Sequence, residues 1–506
     1  MGCQKLITKK QKSLDLNNEL TCFLNAFKRG EKVQYIIAPS MSFDRKLLQG
    51  IEGIEHYELR SFWEILRVKR KNTYVTFVSS EDVSEVLFNH FVEVFNLSSE
   101  EISRVSFVKC PRVKGELSLS KNLLMNQSCI LDIKESLQTN NVILEAFVRT
   151  EDERLLAKAL GVPTWHNHPQ MDYFHTKSGN RFIVGDDAQM PVGFSDLYSR
   201  ESVIKALIKL RNKSVCDSFM VKLNYGVSGQ GNMKVTIDKE SWDSLSDLDK
   251  KLAAEKSFIN GDLFNKSLSL ESFEQRIIEE GVVVEEFVKG RIIDSPSAQV
   301  MVTPERVELI STHKQILDSH GQKFIGGEYP CAHSYRSEVS EVAIQIGKKL
   351  KNLNVFGVTS IDYLISESNG EMKCFVIELN LRKGGTTHPF MLSNFALQNE
   401  GSFREGGLID KNNVSYSYRS NDNFYPCKEF VSDTSDIINR AKRASILFSR
   451  KKSKGVIFHL LNGFSDSGKV GYTVIAPSKV EVENYESTLN QVLGAMYTEN
   501  AQEVSG

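Results

Sequence analysis

The amino-acid sequence predicts a large α/β protein, and three observations carry this prediction. The chain has 506 residues, more than one hydrophobic core normally organises, which favours two to four domains. Strand-like and helical segments alternate from about residue 30 to residue 150. Further along, strands of alternating polar and apolar residues flank turn sequences. We therefore expect a parallel α/β layer first and hairpins later.

The N-terminal strands and helices follow from local patterns. Apolar, β-compatible runs cover 33–38, 74–78 and 105–108, and a helical stretch covers 83–95. Helices between strands are typical of a parallel sheet. Residues 149–160 predict an amphipathic helix with a capping box formed by Thr150 and Glu153. A second amphipathic helix is expected over 337–354, and the charged segment 238–280 is expected to be helical.

A glycine-rich segment at 221–237 predicts a strand, a loop and a second strand. Walker loops and dinucleotide-binding loops each open a helix, so this loop is neither. Bare backbone amides and nearby side chains could approach phosphates from such a hairpin, and Lys222 would supply positive charge. The residues that give the loop this character are Gly226, Ser228, Gly229, Gln230 and Gly231. The alternative is an ordinary mobile turn.

An apolar strand at 281–288 ends in Glu285, Glu286, Phe287 and Val288 before a turn. An acidic strand end of this kind suits the edge of an adenine ring. An ordinary strand end is the alternative interpretation.

A second hairpin carries candidate metal ligands. Asn369–Gly370 is a strong turn signal between the alternating segments 358–365 and 375–381. Glu378 and Asn380 lie two residues apart and should project from one face, whereas Phe375, Ile377, Leu379 and Leu381 should face the core. Two oxygen ligands on one face suit a Mg²⁺ ion whose remaining ligands include phosphate oxygens of a nucleotide. The alternative is a solvated polar face.

Register decides whether Asp362 joins this face. A strict two-residue loop would place Asp362 opposite Ile377, on the face away from Glu378. A three-residue loop or a β-bulge would bring Asp362 and Glu378 together. The metal hypothesis therefore requires one of these two features.

These motifs, in this order, resemble those of ATP-grasp ligases. Details are similar to the pheganomycin-type peptide ligases, with close counterparts at 295–299, 311–316 and 378–389. The resemblance extends to 37–44 and 53–58 in a preceding domain, and to 455–459 and 468–471 in a C-terminal domain. It implies an α/β (α+β) ATP-grasp fold with a pre-ATP-grasp α/β domain at 1–165, the ATP-grasp domain at 166–400 and a small α/β domain at 424–506. The polar, Gly- and Asn-rich sequence between the last two domains predicts a long loop or linker at 401–423.

The same resemblance implies the roles of individual residues. Lys177 and Lys222 would contact the α- and β-phosphates of ATP, Gly226 to Gly231 would form a phosphate lid, and Arg382 would contact the transferring phosphoryl group. The adenine contacts would be Glu285, Glu286 and the backbone of Phe287 and Val288. Asp362, Glu378 and Asn380 would bind one or two Mg²⁺ ions, for which Mn²⁺ can substitute. Asp294 is the candidate for the ribose, and Ser360 stands where many relatives have arginine.

Composition agrees with a soluble cytoplasmic enzyme. The 63 basic and 64 acidic side chains nearly cancel, so neither nucleic-acid nor membrane binding is expected. Eight cysteines are scattered without a CxxC pair, which is typical of reduced thiols. No apolar run is long enough to cross a bilayer, and the N-terminus has no secretory core.

These features indicate an ATP-dependent carboxylate–amine ligase that makes an amide, with a peptide bond as the favoured product. The reaction would proceed through an acyl phosphate. Two alternatives stay open, a phosphotransferase and a non-catalytic ATP-binding or scaffold protein on the same fold. The expected partners are small-molecule or peptide carboxylates and amines. The sequence leaves open whether the amine is an amino acid, a peptide or a polyamine, and whether the chain forms a homo-oligomer.

Overall fold

Three β-sheets organise the computed structural model of this chain. It describes residues 18–43, 48, 51–113, 115–165, 168, 170–226, 231–240, 242–317, 324–398 and 407–494. Among these residues, no helix combines the length and the apolar character that a membrane crossing requires.

The first sheet contains four parallel strands in the order β3-β2-β1-β4. The N-terminal pattern predicted a parallel sheet and the first three of these strands, but not β4. A helical segment at 18–28 precedes it, and a 3₁₀ helix at Ile54–Lys69 lies between its first two strands. Its strands are β1 (Val33–Ala38), β2 (Thr73–Ser79), β3 (Val105–Lys109) and β4 (Val142–Ala146). The helices are α1 (Glu85–Phe95), α2 (Ser99–Ile102), α3 (Leu119–Met125), α4 (Gln127–Glu135) and α5 (Glu151–Leu160). The capping box of Thr150 and Glu153 on α5 is confirmed.

The second sheet has five strands in the order β5-β9-β6-β7-β8 and a hydrophobic core of its own. Its strands are β5 (Gly193–Leu197), β6 (Ser218–Leu223), β7 (Asn232–Thr236), β8 (Asp262–Leu263) and β9 (Val282–Glu286). The helices are α6 (Met171–Phe174), α7 (Lys177–Val184), α8 (Arg200–Lys213), α9 (Asp247–Ile259) and α10 (Leu270–Glu280), with a 3₁₀ turn at Trp242–Ser244. Strands β6 and β7 form the hairpin predicted around the glycine-rich loop.

The third sheet has nine strands and shares one continuous core with the first sheet. Its strands are β10 (Arg291–Asp294), β11 (Pro296–Val302), β12 (Val307–Leu317), β13 (Phe324–Tyr329), β14 (Gly357–Ser368), β15 (Glu371–Asn380), β16 (Ser417–Phe424), β17 (Gly455–His459) and β18 (Val470–Ala476). The helices are α11 (His333–Asn352), α12 (Thr387–Ala396), α13 (Thr434–Arg443), α14 (Phe464–Ser467) and α15 (Lys479–Leu493), with a 3₁₀ turn at Leu461–Gly463.

The predicted linker contains part of this third sheet. Residues 401–406 lie outside the described residues, but Ser417–Phe424 form strand β16, paired with β13 on one side and β18 on the other. We expected a loop because the segment is polar. However, alternate residues of β16 are buried against the core, which is the pattern of a strand covered on one face.

The hairpin of β14 and β15 contains the bulge that the metal hypothesis requires. The turn is the two-residue type, with Asn369 and Gly370 at φ values of 55° and 78°, and Ser368 pairs with Glu371. The register then shifts, so that Tyr363 pairs with Val376 but Asp362 pairs with Glu378. Ile377 is therefore the extra residue.

The bulge also corrects the predicted core face of β15. We expected Phe375 and Ile377 in the core, whereas the structure buries Cys374 and Val376 there. Only beyond the bulge do the predicted core residues, Leu379 and Leu381, face the core. The inserted residue reverses the alternation between the two halves of the strand.

A buried charge cluster joins the end of β15 to the first sheet. The Lys383 ammonium contacts Glu64 and lies 3.0 Å from the Glu145 Oε2 atom. Arg67 Nε lies 2.6 Å from the other Glu64 oxygen. Burial alone would lower the pKa of Lys383, but the carboxylates of Glu145 and Glu64 outweigh it and raise that pKa. This cluster anchors the loop that follows the candidate metal ligands.

We predict that Lys383→Met lowers the free energy of unfolding by about 3–5 kcal/mol, because it leaves the two buried carboxylates of Glu64 and Glu145 with Arg67 as their remaining cation. Chemical denaturation measures the change. Lys442→Met is the matched control, since Lys442 pairs with Glu93 at 2.7 Å on the exposed surface and should cost less than about 1 kcal/mol. Equal losses in both variants would contradict a structural role for the buried cluster.

Candidate nucleotide and metal site

A cavity of about 640 Å³ lies between the second and third sheets and extends to the first. Lys222 and Glu285 line it from the second sheet, and Asp362, Glu378 and Asn380 line it from the β14–β15 hairpin. The structure thus brings together the principal residues predicted from three separate segments, with the carboxylates facing Lys222 across a cleft.

The candidate metal ligands are held by hydrogen bonds. Asn380 Nδ2 donates to Asp362 Oδ2 at 2.8 Å, and Gln315 Nε2 donates to Asp362 Oδ1 at 2.7 Å. The amide nitrogen of Asn380 thus bonds Asp362, which leaves its oxygen for another partner. Gln315 lies in the 311–316 segment, which resembles the family, but the sequence analysis did not assign this residue a role.

The pKa values of the two carboxylates shift in opposite directions. Burial, and then the nearby charge of Glu378, raise the pKa of Asp362 to about 7 despite the opposing effect of Arg382. Burial also acts to raise the pKa of Glu378, but Lys177 overcomes this effect and lowers it. A cation shared by both groups would remove their mutual repulsion.

The two predicted phosphate lysines both contact carboxylates of the site. Lys177 Nζ lies 3.0 Å from Glu378 Oε1 and 3.4 Å from the carbonyl oxygen of Gly226. Lys222 contacts one oxygen of Glu285, and Arg181 Nη1 lies 3.3 Å from the other. Glu285 therefore holds two cationic side chains in place, of which Lys222 lines the cavity.

Arg181 was missed by the sequence analysis, although a signal was present. It follows Lys177 by four positions on α7, and residues four apart share a helix face. Its guanidinium also donates to the carbonyl oxygen of Pro191 at 3.0 Å. Burial lowers the pKa of Arg181, and Glu285 partly offsets the effect.

The predicted adenine segment lies along the cavity wall. Glu286, Phe287 and Val288 line it together with Glu285. The Phe287 amide donates to the carbonyl oxygen of Ser218 at 3.0 Å, which ties the segment to strand β6. Of the predicted lid, Gly226 and Gly231 flank the end of the β6–β7 hairpin, whereas Ser228, Gly229 and Gln230 lie outside the described residues.

The structure does not bring Asp294 into the cavity. Its carboxylate accepts hydrogen bonds from the Tyr335 hydroxyl and, at 2.9 Å, from the Ser295 amide. A register shift between Ile292 and Asp294 explains the orientation, since Ile292 lines the cavity and Asp294 does not. This geometry gives no support to the expected ribose role of Asp294, which stays a prediction.

Arg382 reaches the cavity beside the carboxylates. Its guanidinium carbon lies 5.3 Å from the ring centroid of Phe43 and 5.8 Å from that of Phe147. Burial lowers its pKa, and Glu378 and Asp362 oppose that shift. Ser360, on the neighbouring strand, also lines the cavity. Many relatives have an arginine at that position, and in this chain Arg382 brings a guanidinium to the same cavity.

Comparison with known proteins identifies the fold around this site. A family model described as an ATP-grasp domain matches residues 212–386. This segment of the chain is therefore similar to ATP-grasp domains. A second model, described as the PGM1 C-terminal domain, matches residues 436–489.

Two curated relatives are ligases. L-propargylglycine–L-glutamate ligase of Streptantibioticus cattleyicolor is 20% identical over 474 residues, covering 91% of this chain and 94% of that protein. Tyramine–L-glutamate ligase of Methanocaldococcus fervens is 25% identical over 143 residues, or 28% of this chain and 42% of that protein. Together with the match to the ATP-grasp domain model, these relatives support an ATP-dependent ligase function for the chain.

Solved structures agree on the fold. A biotin carboxylase in complex with β,γ-ATP from Campylobacter jejuni matches with a TM-score of 0.56, 12% identity and coverage of 92% of both chains. The biotin carboxylase domain of 2-oxoglutarate carboxylase from Hydrogenobacter thermophilus, bound to MgADP, matches with a TM-score of 0.52, 10% identity, and coverage of 90% of this chain and 89% of that chain.

The donor set of the site fits a magnesium ion. Asp362 and Glu378 offer carboxylate oxygens and Asn380 an amide oxygen, all on one face of the hairpin. Mg²⁺ prefers oxygen ligands and completes its sphere with water and phosphate oxygens. Three protein oxygen donors that line one cavity meet this requirement and leave room for further ligands.

We predict that Glu378→Ala lowers turnover on the order of 10²-fold or more, by analogy with the loss of one preorganised electrostatic group. A coupled assay of ADP release at several Mg²⁺ concentrations measures it. Glu371→Ala is the matched control, because Glu371 is exposed at the other end of the same strand. Near-normal turnover of Glu378→Ala at saturating Mg²⁺ would remove this residue from the site.

Proposed function

We propose that this enzyme activates a small carboxylic acid as an acyl phosphate and transfers the acyl group to an amine. The observation that carries the proposal is the meeting of two cavities. A second cavity of about 1150 Å³ borders the first at Glu378, Asn380 and Arg382. Two cavities that meet at the same three residues could hold a nucleotide and two substrates side by side, as a reaction that joins two substrates requires.

The proposed roles follow from position. Lys177 and Lys222 neutralise phosphate oxygens of ATP, and Glu286 to Val288 border the adenine. Asp362, Glu378 and Asn380 would hold Mg²⁺, which when bound offsets negative charge on the phosphate oxygens. Positioning and electrostatic stabilisation dominate phosphoryl transfer, so no protein nucleophile is needed.

The reaction has two steps. A carboxylate oxygen of the acid attacks the γ-phosphorus of ATP, the bond to the β-γ bridging oxygen breaks, and ADP leaves. The amine nitrogen then attacks the acyl carbon, phosphate leaves, and the nitrogen loses a proton to give an amide. Arg382 donates hydrogen bonds to the phosphoryl group during its transfer.

The substrates proposed for this chain are amino acids and small amines. Both curated relatives carry L-glutamate in their names, one with L-propargylglycine and the other with tyramine. We therefore propose L-glutamate as the first acid to test, with primary amines varied independently.

We predict that hydroxylamine, added with ATP, Mg²⁺ and the acid substrate, yields a hydroxamate, because an acyl phosphate reacts with any small nucleophilic amine. The ferric-hydroxamate colour and ADP release measure the two products together. Glu378→Ala serves as the inactive control.

A stable phosphorylated acid formed instead of the hydroxamate would favour a phosphotransferase. ATP binding without ADP release, across acids and amines varied independently, would favour a non-catalytic ATP-binding protein. Either result would contradict the proposed reaction.

We predict that Arg382→Lys lowers kcat and leaves KM for the acid nearly unchanged, because lysine retains the charge but loses the bidentate fork that matches a phosphoryl group. Steady-state kinetics with the acid as varied substrate measures both constants. A raised KM with normal kcat would assign Arg382 to binding the carboxylate. Wild-type values of both constants in Arg382→Ala would leave Arg382 without a role in the reaction.

A further inference from the structure

The wall that the N-terminal region contributes to the nucleotide cavity contains a second guanidinium. Arg60, on the 3₁₀ helix Ile54–Lys69, lines the same cavity as Arg382. The surrounding wall is apolar and aromatic, with Phe43, Tyr57 and Phe147 among its residues. Contacts between opposite charges are stronger beside such walls than in water, because the local dielectric constant is lower.

Arg60 is held in one orientation. Its guanidinium carbon lies 5.0 Å from the ring centroids of both Tyr57 and Phe147. Its Nη1 atom donates to Asp422 Oδ2 at 3.1 Å, and the other oxygen of Asp422 accepts from His388 Nε2 at 3.0 Å. Among the described residues this is the one hydrogen bond of the guanidinium, so its other N–H groups stay available to a ligand in the cavity.

The two arginines both lie close to one aromatic ring, that of Phe147. The Phe147 centroid is 5.0 Å from the guanidinium carbon of Arg60 and 5.8 Å from that of Arg382. Their separation cannot exceed the sum of these two distances, which a short molecule with two anionic groups can span. Arg382 faces the metal carboxylates, whereas Arg60 lies at the end of the cavity that the N-terminal region closes.

We infer that Arg60 binds a second carboxylate on the acid substrate, so that this ligase activates an acid with two carboxylates. One carboxylate lies beside Arg382 and receives the phosphoryl group, and the other is held in the fork of Arg60. The inference rests on the proposed acyl-phosphate function and adds to it the residue that recognises the second carboxylate of the acid. Asp422 and His388 position the guanidinium, and a guanidinium matches a carboxylate with two parallel hydrogen bonds.

The first test compares acids that differ by one carboxylate. ADP release is measured for the wild-type enzyme with L-glutamate, L-aspartate and glutarate, and with the single-carboxylate acids 4-aminobutanoate, L-norvaline and butanoate, with hydroxylamine as the amine. We expect the best acid with two carboxylates to exceed every single-carboxylate acid at least about 10-fold in kcat/KM.

The second test removes the fork. In Arg60→Lys and Arg60→Gln, KM for the preferred acid should rise about 10- to 100-fold, with kcat within a few-fold and the values for single-carboxylate acids unchanged. Arg70→Gln is the matched control, since Arg70 follows the same helix but stacks on Phe27, 3.4 Å from its ring centroid. Asp422→Asn should show the same change in selectivity to a smaller degree.

The outcomes separate this inference from the proposed function. An acid with one carboxylate that works as well as its counterpart with two overturns the inference and leaves the ligase reaction intact. A lower melting temperature of Arg60→Gln with unchanged acid preference also overturns it, because Arg60 would then only join the 3₁₀ helix to β16. Absence of ADP release with every acid would contradict the proposed function instead.

Discussion

The one-residue bulge at Ile377 is the constraint on which the candidate metal site depends. Pairing counted from the Asn369–Gly370 turn would set Asp362 opposite Ile377, on the face away from Glu378. The inserted residue moves the pairing to Asp362 with Glu378 and gives both carboxylates one face. Because the repeat of a strand is two residues, one insertion decides whether the ligands converge. The lysines and arginines of the cavity surround the pair that it creates.

Local sequence signals predicted much of the fold and the centre of the site. The Asn–Gly turn and the alternation of β14 carry enough information to predict the hairpin, and the metal chemistry indicated that a bulge or a longer turn must follow. The position of the bulge has no such signal, because any residue of an extended strand can be the extra one. The core assignment of Phe375 and Ile377 failed for this reason, while Leu379 and Leu381, beyond the bulge, were predicted correctly.

The parts that the sequence did not predict depend on long-range contacts. Arg60 and Asp422 are separated by 362 positions, and nothing in either neighbourhood indicates that they pair. Strand β16, which carries Asp422, is polar on its open face and was interpreted as a linker. Asp294 had a plausible position in the chain, but a local register shift turned it towards Tyr335. Tertiary packing decides each of these cases.

The ion pairs of the site explain why nucleotide and metal should bind as one complex. Lys177 pairs with Glu378, the carboxylate that the metal would share. A phosphate that took Lys177 alone would remove the strongest stabilising charge from Glu378 beside Asp362. Asp362 already has a pKa raised to about 7 by burial and that neighbour. A metal that took Glu378 alone would leave Lys177 without its carboxylate. Binding of either the phosphate or the metal alone would weaken an ion pair in a partly desolvated cleft, which costs free energy. The Mg²⁺–nucleotide complex replaces both partners at once, so the site should select it over either component.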